Sequence, residues 1–147
     1  MQGKMLSKGD LDVWHAFKQM GQTVMSGIER DLTEATGLTG SDFGVLSRLV
    51  DLGNGELRQQ ALADSMEWHK SRLSHQLTRM QGRDLVTRSE AEPRVIIVSI
   101  TALGRERLQL ARPVHAASVR RWLLDPLSSQ DKTTLLNIAA ALGDSEK

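Results

Sequence analysis

Apolar residues near the start of the chain recur three, four or seven positions apart, the spacing of a helix that buries one face. The residues that form this stripe are Leu11, Trp14, Phe17, Val24, Ile28 and Leu32. The pattern predicts one long amphipathic helix, with Asp10 as its N-cap and Gly37 at its end. A second helix is predicted from Thr39 or Ser41 to the Gly53-Asn54-Gly55 cluster, because helical spacing resumes between these points.

Two shorter helices are predicted next, in tandem. The third predicted helix carries Leu57, Ala61, Leu62 and Met66, and the fourth carries Leu73, Leu77 and Met80. At about 100° per residue, the three apolar residues of the fourth helix fall on one side. The opposite side carries Ser71, Arg72, His75, Thr78 and Arg79. This outward face therefore presents hydrogen-bond donors and two guanidinium groups, unlike the Glu/Lys mixture of a merely solvated helix.

The spacing changes from helical to extended after Leu85. The β-branched runs VTRS and VIIVSIT flank SEAEPR, which predicts a two-stranded hairpin with its tip between Ser89 and Arg94. Thr101 is predicted to cap a fifth helix, which Pro113 must kink or restart. Ser128 is predicted to cap a last helix, whose apolar residues are Leu135, Ile138, Ala139 and Leu142.

This order of elements predicts a mainly α fold with a small β-hairpin wing, a winged helix-turn-helix flanked by N- and C-terminal dimerisation helices. One domain, 1–147, is expected from a length of 147 residues. Within it, 10–37 and 102–147 are the expected dimerisation helices, and 38–101 is the expected winged helix-turn-helix region. Because a monomer would leave the apolar stripes of the terminal helices unburied, two copies are expected to pair.

Composition narrows the class of protein. Hydrophobic residues make up 39% and charged residues 25% of the chain, and no apolar run approaches the roughly 18 residues of a membrane span. With no secretory h-region after the first lysines, a cytoplasmic protein without a membrane partner is expected. The absence of cysteine excludes disulfides, thiolate nucleophiles and the commonest zinc sites. The histidines form no His-x-x-x-His pair and no Gly-rich phosphate loop is present, so no enzyme, metal or cofactor is expected.

Charge is concentrated in one segment. The formal net charge is only +1, but Trp68 to Arg88 holds five Lys or Arg, two histidines and a single acid, Asp84. A helix with such a face fits the major groove of DNA, where one bidentate arginine discriminates between bases by about 1 to 3 kcal/mol. The hairpin is expected to add Arg88 and Arg94, on either side of its tip, as cations suited to the minor groove. The residues predicted to contact DNA are Lys70, Ser71, Arg72, Ser74, His75, Gln76, Arg79, Arg88 and Arg94.

Several of these residues have a plainer interpretation. A solvated helix face is the alternative for Arg72, His75 and Arg79. Lys70 and Arg83 lie off the centre of that face, so phosphate contact and simple solvation stay equally open for them. Trp68 is predicted to fill the core beneath the turn rather than to stack on a base.

Three runs of the sequence resemble MarR regulators. LTGSDFGVLSRL resembles their second helix, ALADSMEWHKSRLSHQLTRMQGRDLV their helix-turn-helix, and RSEAEPRVIIVSITALGRERL their wing with the helix that follows. The resemblance implies a dimer held by the first, fifth and sixth helices, and often a pocket for small aromatic or amphipathic ligands. The family's wing usually carries Asp-x-Arg, whose arginine enters the minor groove. Here Glu92-Pro93-Arg94 stands at that place, with an acid one methylene longer.

The expected function is therefore that of a ligand-responsive homodimeric repressor, or less often an activator, of a near-palindromic site on double-stranded DNA. Trp14 and His115 are the candidate contacts for a small aromatic effector, the alternative being a packed tryptophan and a hydrogen-bonded histidine. Two other functions stay open. One is a winged-helix module that binds a protein partner, and the other is a metal-responsive regulator whose His and Glu residues meet in space.

Overall fold

The computed structural model describes residues 3–144, which form helices and a small sheet. The elements are α1 (Lys8–Thr36), α2 (Gly40–Gly53), β1 (Glu56–Arg58), α3 (Gln59–Met66), α4 (Lys70–Gly82), β2 (Val86–Glu92), β3 (Val95–Ile100), α5 (Ala102–Val119), a π-helical segment (Arg120–Leu124) and α6 (Ser129–Asp144). This is the predicted winged helix-turn-helix order. No helix in residues 3–144 combines the length and hydropathy needed to cross a membrane.

Packing divides the chain into two compact units. The terminal unit consists of Met1–Arg30 and Ala116–Lys147, and the central unit consists of Asp31–His115. The division therefore falls inside α1 and α5, whereas the predicted boundaries at 37/38 and 101/102 follow the ends of helices. The predicted segment 102–147 also includes residues 145–147, which lie outside the described residues.

Capping boxes start the long helices α1, α2 and α6, because the first turn of each helix exposes backbone N–H groups that need an acceptor. At the start of α1 the backbone N–H of Asp10 donates to Oγ of Ser7 at 3.0 Å, and Ser7 N–H donates back to the Asp10 carboxylate at 3.4 Å. Ser7 is therefore the N-cap, and the prediction of Asp10 was three residues late. At α2 the same exchange joins Thr39 and Asp42, which confirms Thr39 as the cap.

The predicted caps of the last two long helices are confirmed. Thr101 Oγ1 accepts from the backbone N–H of Gly104 at 2.9 Å, and Ser128 Oγ accepts from that of Asp131 at 3.0 Å. Pro113 lies inside α5, which continues to Val119 without restarting. The π-helical segment follows directly at Arg120, so the irregularity of this region lies after the proline.

The core of the central unit is built from one apolar face of each surrounding element. Leu73, Leu77 and Met80 of α4 are completely buried, as their spacing predicts. Around them lie Leu32, Leu38, Val45, Leu46, Leu49, Leu62, Ala63, Leu85, Val86, Val98, Leu108 and Ala111. Because α4 anchors one side in this core, its opposite side is held outward in a fixed direction.

The sheet has three antiparallel strands in the order β1-β3-β2 rather than the two of the predicted hairpin. Leu57, predicted on the third helix, lies on β1 opposite Val98. Left-handed backbone at Asn54 (φ 53°) and Gly55 (φ 113°) turns the chain from α2 into this strand. A strand of only three residues is too short to show the alternation of apolar and polar residues that indicates a strand. Leu57 therefore fits the helical spacing of the residues that follow it.

The hairpin is longer and its tip tighter than predicted. Ser89 and Glu90 still pair with β3, a bulge follows between Glu90 and Glu92, and the chain turns at Pro93 and Arg94. Arg94 occupies the left-handed region with φ 69°. The wing therefore carries Arg94 at its extreme end.

Gly104 is required by a close approach of two backbones. It is buried in the first turn of α5, where a Cβ atom would overlap the carbonyl oxygen of Leu85. Gly104→Ala is therefore expected to lower the free energy of unfolding by about 1 to 3 kcal/mol, measured by urea denaturation. Gly82→Ala is the control, because open space surrounds that position, and it should leave stability unchanged or raise it by about 0.4 to 1 kcal/mol. Equal effects of the two changes would contradict the steric account.

Candidate functional site

The turn between α3 and α4 fixes the direction in which α4 projects. Glu67 ends α3 in the left-handed region at φ 55°, and its backbone N–H caps the last turn. Trp68 follows, half-buried against the core, which confirms that it fills space beneath the turn. The outward face of α4, defined as Ser71, Arg72, His75, Thr78 and Arg79, is exposed throughout, as predicted.

Trp68 also supports one of the outward arginines. The guanidinium carbon of Arg72 lies 3.9 Å from the centre of the Trp68 ring. A guanidinium plane over an indole face is attracted by the ring electrons and loses freedom to swing away. Arg72 is therefore held near the start of α4 by the residue that fills the turn.

Gln76 does not belong to the outward face, and its prediction as a DNA contact is wrong. Its side chain is 4% exposed and donates from Nε2 to Oδ1 of Asp42 at 2.7 Å. Its Oε1 accepts from Nη2 of Arg79 at 2.8 Å. The spacing already contained this information, because Gln76 lies three residues after Leu73 and four before Met80, on the buried side of the helix.

Arg83 forms an ion pair that neither of the two interpretations left open for it includes. Its Nη1 lies 2.7 Å from Oδ2 of Asp42, and its Nη2 donates to the carbonyl of Gly37 at 2.9 Å. Asp42 is only 2% exposed, so Arg83 supplies the positive partner that a buried carboxylate needs. Arg83 thus joins the end of α4 to the start of α2.

Arg88 joins the wing to α4 instead of standing beside the wing tip. It pairs with Val98 within the sheet, well before the turn at Pro93. Its Nε donates to Gln81 and its Nη2 to Thr78, each at 3.0 Å. The prediction of a cation flanking the tip is therefore wrong for Arg88, whose guanidinium lies next to the outward face of α4.

The wing tip and the start of α4 face a common cleft. A cavity of about 220 Å³ is lined by Lys70, Arg94 and a third cation, Arg58 of β1. The backbone N–H of Arg94 donates to the carboxylate of Glu90 at 3.3 Å, so Glu90 is the acid that braces the tip. The family resemblance instead places the acid of the wing at Glu92. Sequence reasoning missed Arg58 because β1 itself was not foreseen.

A second cleft of about 300 Å³ adjoins the first, since Gln59 and Ile96 line both. Ser74 and Arg88 line it together with Gln59 and Glu90. The structure thus gathers the predicted residues of α4 and the wing on one side of the central unit, with Gln76 as the exception. The resulting surface combines fixed guanidinium groups, hydroxyls and one imidazole, which are the groups that donate to base edges and phosphates.

Trp14 and His115 lie in different units and have different surroundings. Trp14 is half-exposed on α1, 6.3 Å from the Phe17 ring and 5.1 Å from the Lys18 ammonium. His115 stacks on Phe43 with ring centres 4.3 Å apart, and burial lowers the pKa of its imidazole. Their assignment to an effector site stays a prediction. Within residues 3–144, no three His, Asp or Glu side chains converge on a common point that could hold a metal.

The terminal unit exposes many large apolar side chains. On α1 and the residues before it they are Met5, Leu6, Leu11, Val13, Trp14, Phe17, Met20 and Met25, and on α6 they are Leu136, Ile138 and Leu142. One face of α1 is packed nevertheless, since Gly27 lies directly against the Trp122 ring. Exposure on this scale exceeds the scattered apolar residues of an ordinary monomer surface.

Solved structures match nearly the whole chain. It is 30% identical to AbsC, a MarR family transcriptional regulator from Streptomyces coelicolor, with 97% of each chain covered and a TM-score of 0.86. It is 23% identical to Sco3205, a MarR family transcriptional regulator from the same organism solved in complex with DNA, covering 99% of this chain and 92% of that one at a TM-score of 0.88.

A third structure, the organohalide-sensing regulator RdhR-CbdbA1625 with bound 2,4-dichlorophenol, is 16% identical. The match covers 99% of this chain and 87% of that one at a TM-score of 0.83. At this identity, as for Sco3205, the likeness concerns the fold. No family sequence model and no curated protein sequence matches the chain.

Proposed function

The chain belongs to the MarR family of transcriptional regulators, and from that premise we propose that it is a cytoplasmic, ligand-responsive homodimer that represses transcription from a near-palindromic DNA site. The observation that carries the proposal is the outward face of α4. It presents Arg72 and Arg79 from a helix anchored in the core, beside a wing that ends in Arg94.

The outward face supplies the groups needed to recognise bases. A helix fits the major groove, where Arg72 and Arg79 can each bind O6 and N7 of a guanine. Ser71 and His75 on this face, and Ser74 in the second cleft beside it, can donate to other base edges or to phosphates. Gln76 is left out of this set because it is buried.

The cleft between the wing and α4 supplies cations for the DNA backbone and the minor groove. Lys70 and Arg58 face it from the start of α4 and from β1, and Arg94 faces it from the tip of the wing. An arginine at the end of a narrow hairpin can enter the minor groove beside the segment bound by α4. Arg88, bound to Thr78 and Gln81, sets the wing against the helix and has donors left for a phosphate.

Pairing of two copies is supported by the apolar surface of the terminal unit. In a twofold dimer the same surface of each copy is buried against its partner. Two α4 helices would then enter successive major grooves about 34 Å apart, which requires a near-palindromic site. The dimer thus doubles every protein–DNA contact.

A small-molecule effector would act through the spacing of the two α4 helices. It must bind more tightly to a dimer whose α4 spacing no longer matches DNA, because a ligand without such a preference shifts no equilibrium. Bound 2,4-dichlorophenol in RdhR-CbdbA1625 supports a small aromatic compound as the effector class. Trp14 and His115 are the residues of this chain proposed to contact it.

Replacement of the wing arginine tests the proposal. Arg94→Ala is expected to weaken binding to a duplex selected from a random library by about 10- to 100-fold, because each dimer loses two minor-groove contacts. Fluorescence anisotropy at several salt concentrations measures the affinity. Arg112→Ala is the control, since it removes an equal charge from an exposed arginine on α5 that pairs with Asp51, away from α4 and the wing.

Wild-type affinity should also fall steeply as salt rises, with a slope of about 0.9 per phosphate contact. Equal effects of the two arginine changes, or binding indifferent to salt, would contradict DNA recognition by this surface. A module that binds only a protein partner would show both of these results.

A further inference from the structure

We propose that Gln76 is a positioning residue that fixes the Arg79 guanidinium for base recognition, with Asp42 as its anchor. The proposal rests on the DNA-binding function proposed above and names a determinant of its specificity. Gln76 itself touches no DNA in this account. It acts through Arg79.

The orientation of the Gln76 amide is determined at both ends. Its Nε2 donates to the carboxylate of Asp42, which can only accept, and its Oε1 accepts from Arg79, which can only donate. Reversing the amide would place its oxygen against the carboxylate and its N–H groups against the guanidinium. The two neighbours therefore exclude the reversed orientation.

Asp42 is in turn held from three directions. Its carboxylate accepts from the backbone N–H of Thr39 at 2.9 Å, from Arg83 at 2.7 Å and from Gln76 at 2.7 Å. The anchor therefore belongs to the capping box that begins α2. A continuous series of hydrogen bonds runs from the start of α2 through Gln76 to an exposed arginine on α4.

This series of hydrogen bonds is buried at Asp42 and Gln76 and accessible to solvent at Arg79. Asp42 and Gln76 are 2% and 4% exposed, and hydrogen bonds strengthen where water is excluded. Arg79 is exposed, and its bond to Gln76 uses one of five guanidinium donors. The remaining donors can bind O6 and N7 of a guanine without disturbing the bond to Gln76.

A held arginine recognises a base better than a free one. A flexible arginine side chain loses conformational freedom when it binds, and that loss weakens binding in proportion to how many states it had before. Since a bidentate contact demands a particular plane and distance, the penalty is larger for specific than for nonspecific DNA. Gln76 should therefore improve discrimination more than overall affinity.

The first test replaces Gln76 with methionine, which has similar length but no hydrogen-bonding amide. Affinity is measured for a duplex selected with the wild-type protein and for a scrambled duplex of the same composition. Gln76→Met is expected to lower affinity for the selected duplex by about 3- to 10-fold and to leave affinity for the scrambled duplex unchanged. In an Arg79→Ala background the same change should have no further effect on selected-duplex affinity, because Gln76 acts only through that arginine.

The second test exchanges the hydrogen-bond donor and acceptor between positions 42 and 76 and keeps the net charge of the protein. In Asp42→Asn/Gln76→Glu, the new amide at position 42 can donate to the new carboxylate at position 76, which still accepts from Arg79. Discrimination between the two duplexes should recover relative to Gln76→Glu alone, where two carboxylates face each other. If circular dichroism shows that Gln76→Met is unfolded, the comparison of Asp42→Asn/Gln76→Glu with Gln76→Glu alone still tests the proposal.

Four results overturn the proposal. These are an equal loss on both duplexes, additive effects of Gln76→Met and Arg79→Ala, a folded Gln76→Met with unchanged discrimination, and failure of the exchange to improve on Gln76→Glu. Failure of the proposed function looks different, because the wild-type protein would then prefer no duplex from the library.

Discussion

Removing both outward arginines of α4, in Arg72→Ala/Arg79→Ala, is expected to lower affinity for the selected duplex by about 10²- to 10⁴-fold. Each bidentate contact to guanine contributes about 1 to 3 kcal/mol of discrimination, and the two are expected to add in part. Affinity for scrambled DNA should fall far less, because most backbone contacts remain. Competition binding with both duplexes measures the difference.

The structure supports so large an effect because both guanidinium groups are held before DNA arrives. Arg72 lies over the Trp68 ring and Arg79 is bonded to Gln76. The control, Arg107→Ala/Arg112→Ala, removes the same charge from exposed positions on α5. If that control lowers the affinity for the selected and the scrambled duplex as much as the α4 variant does, net charge rather than the outward face of α4 governs binding.

The second large effect concerns the proposed dimer. Phe17→Asp is expected to raise the dimer dissociation constant by about 10²- to 10⁴-fold. Burial of a phenylalanine side chain contributes about 1.5 to 3 kcal/mol, and a twofold interface contains each residue twice. Phe17 is 55% exposed in the single chain, so the substitution should spare folding. Sedimentation velocity measures the dimer, and DNA affinity should fall with it.

Leu52→Asp is the matched control for the dimer. Leu52 is 62% exposed, but it lies at the end of α2 in the central unit, outside the apolar surface of the terminal helices. It should leave the protein dimeric. A dimer that tolerates Phe17→Asp but not Leu52→Asp would place the interface elsewhere, and a wild-type monomer at all concentrations would contradict pairing altogether.

Helix positions and the α4 core face were predictable because they depend on local spacing. Leu73, Leu77 and Met80 share one side of any helix, and Thr39, Thr101 and Ser128 carry the hydroxyls that caps require. The Asp10 cap was misplaced because aspartate can also serve at position N3 of a capping box, with Ser7 as the cap. Local chemistry allowed both positions.

The errors share a different cause, which is dependence on residues distant in the sequence. Strand β1 exists because Leu57 pairs with Val98 across the sheet. The sequence could not show that Arg88 lies away from the wing tip. Its bonds to Thr78 and Gln81 form only when the wing folds back on α4. Gln76 combines both cases, since helical spacing indicated its burial but only the fold reveals Asp42 beside it.

The central claim is that the outward face of α4 lies in the major groove, and methylation interference tests it most directly. N7 of guanine faces that groove, so its methylation blocks an arginine bound there. The account predicts that methylation blocks binding at two groups of guanines about one helical turn apart, and that Arg79→Ala removes this interference at its own guanine. Tight, sequence-selective binding that is indifferent to N7 methylation throughout the site would contradict the account.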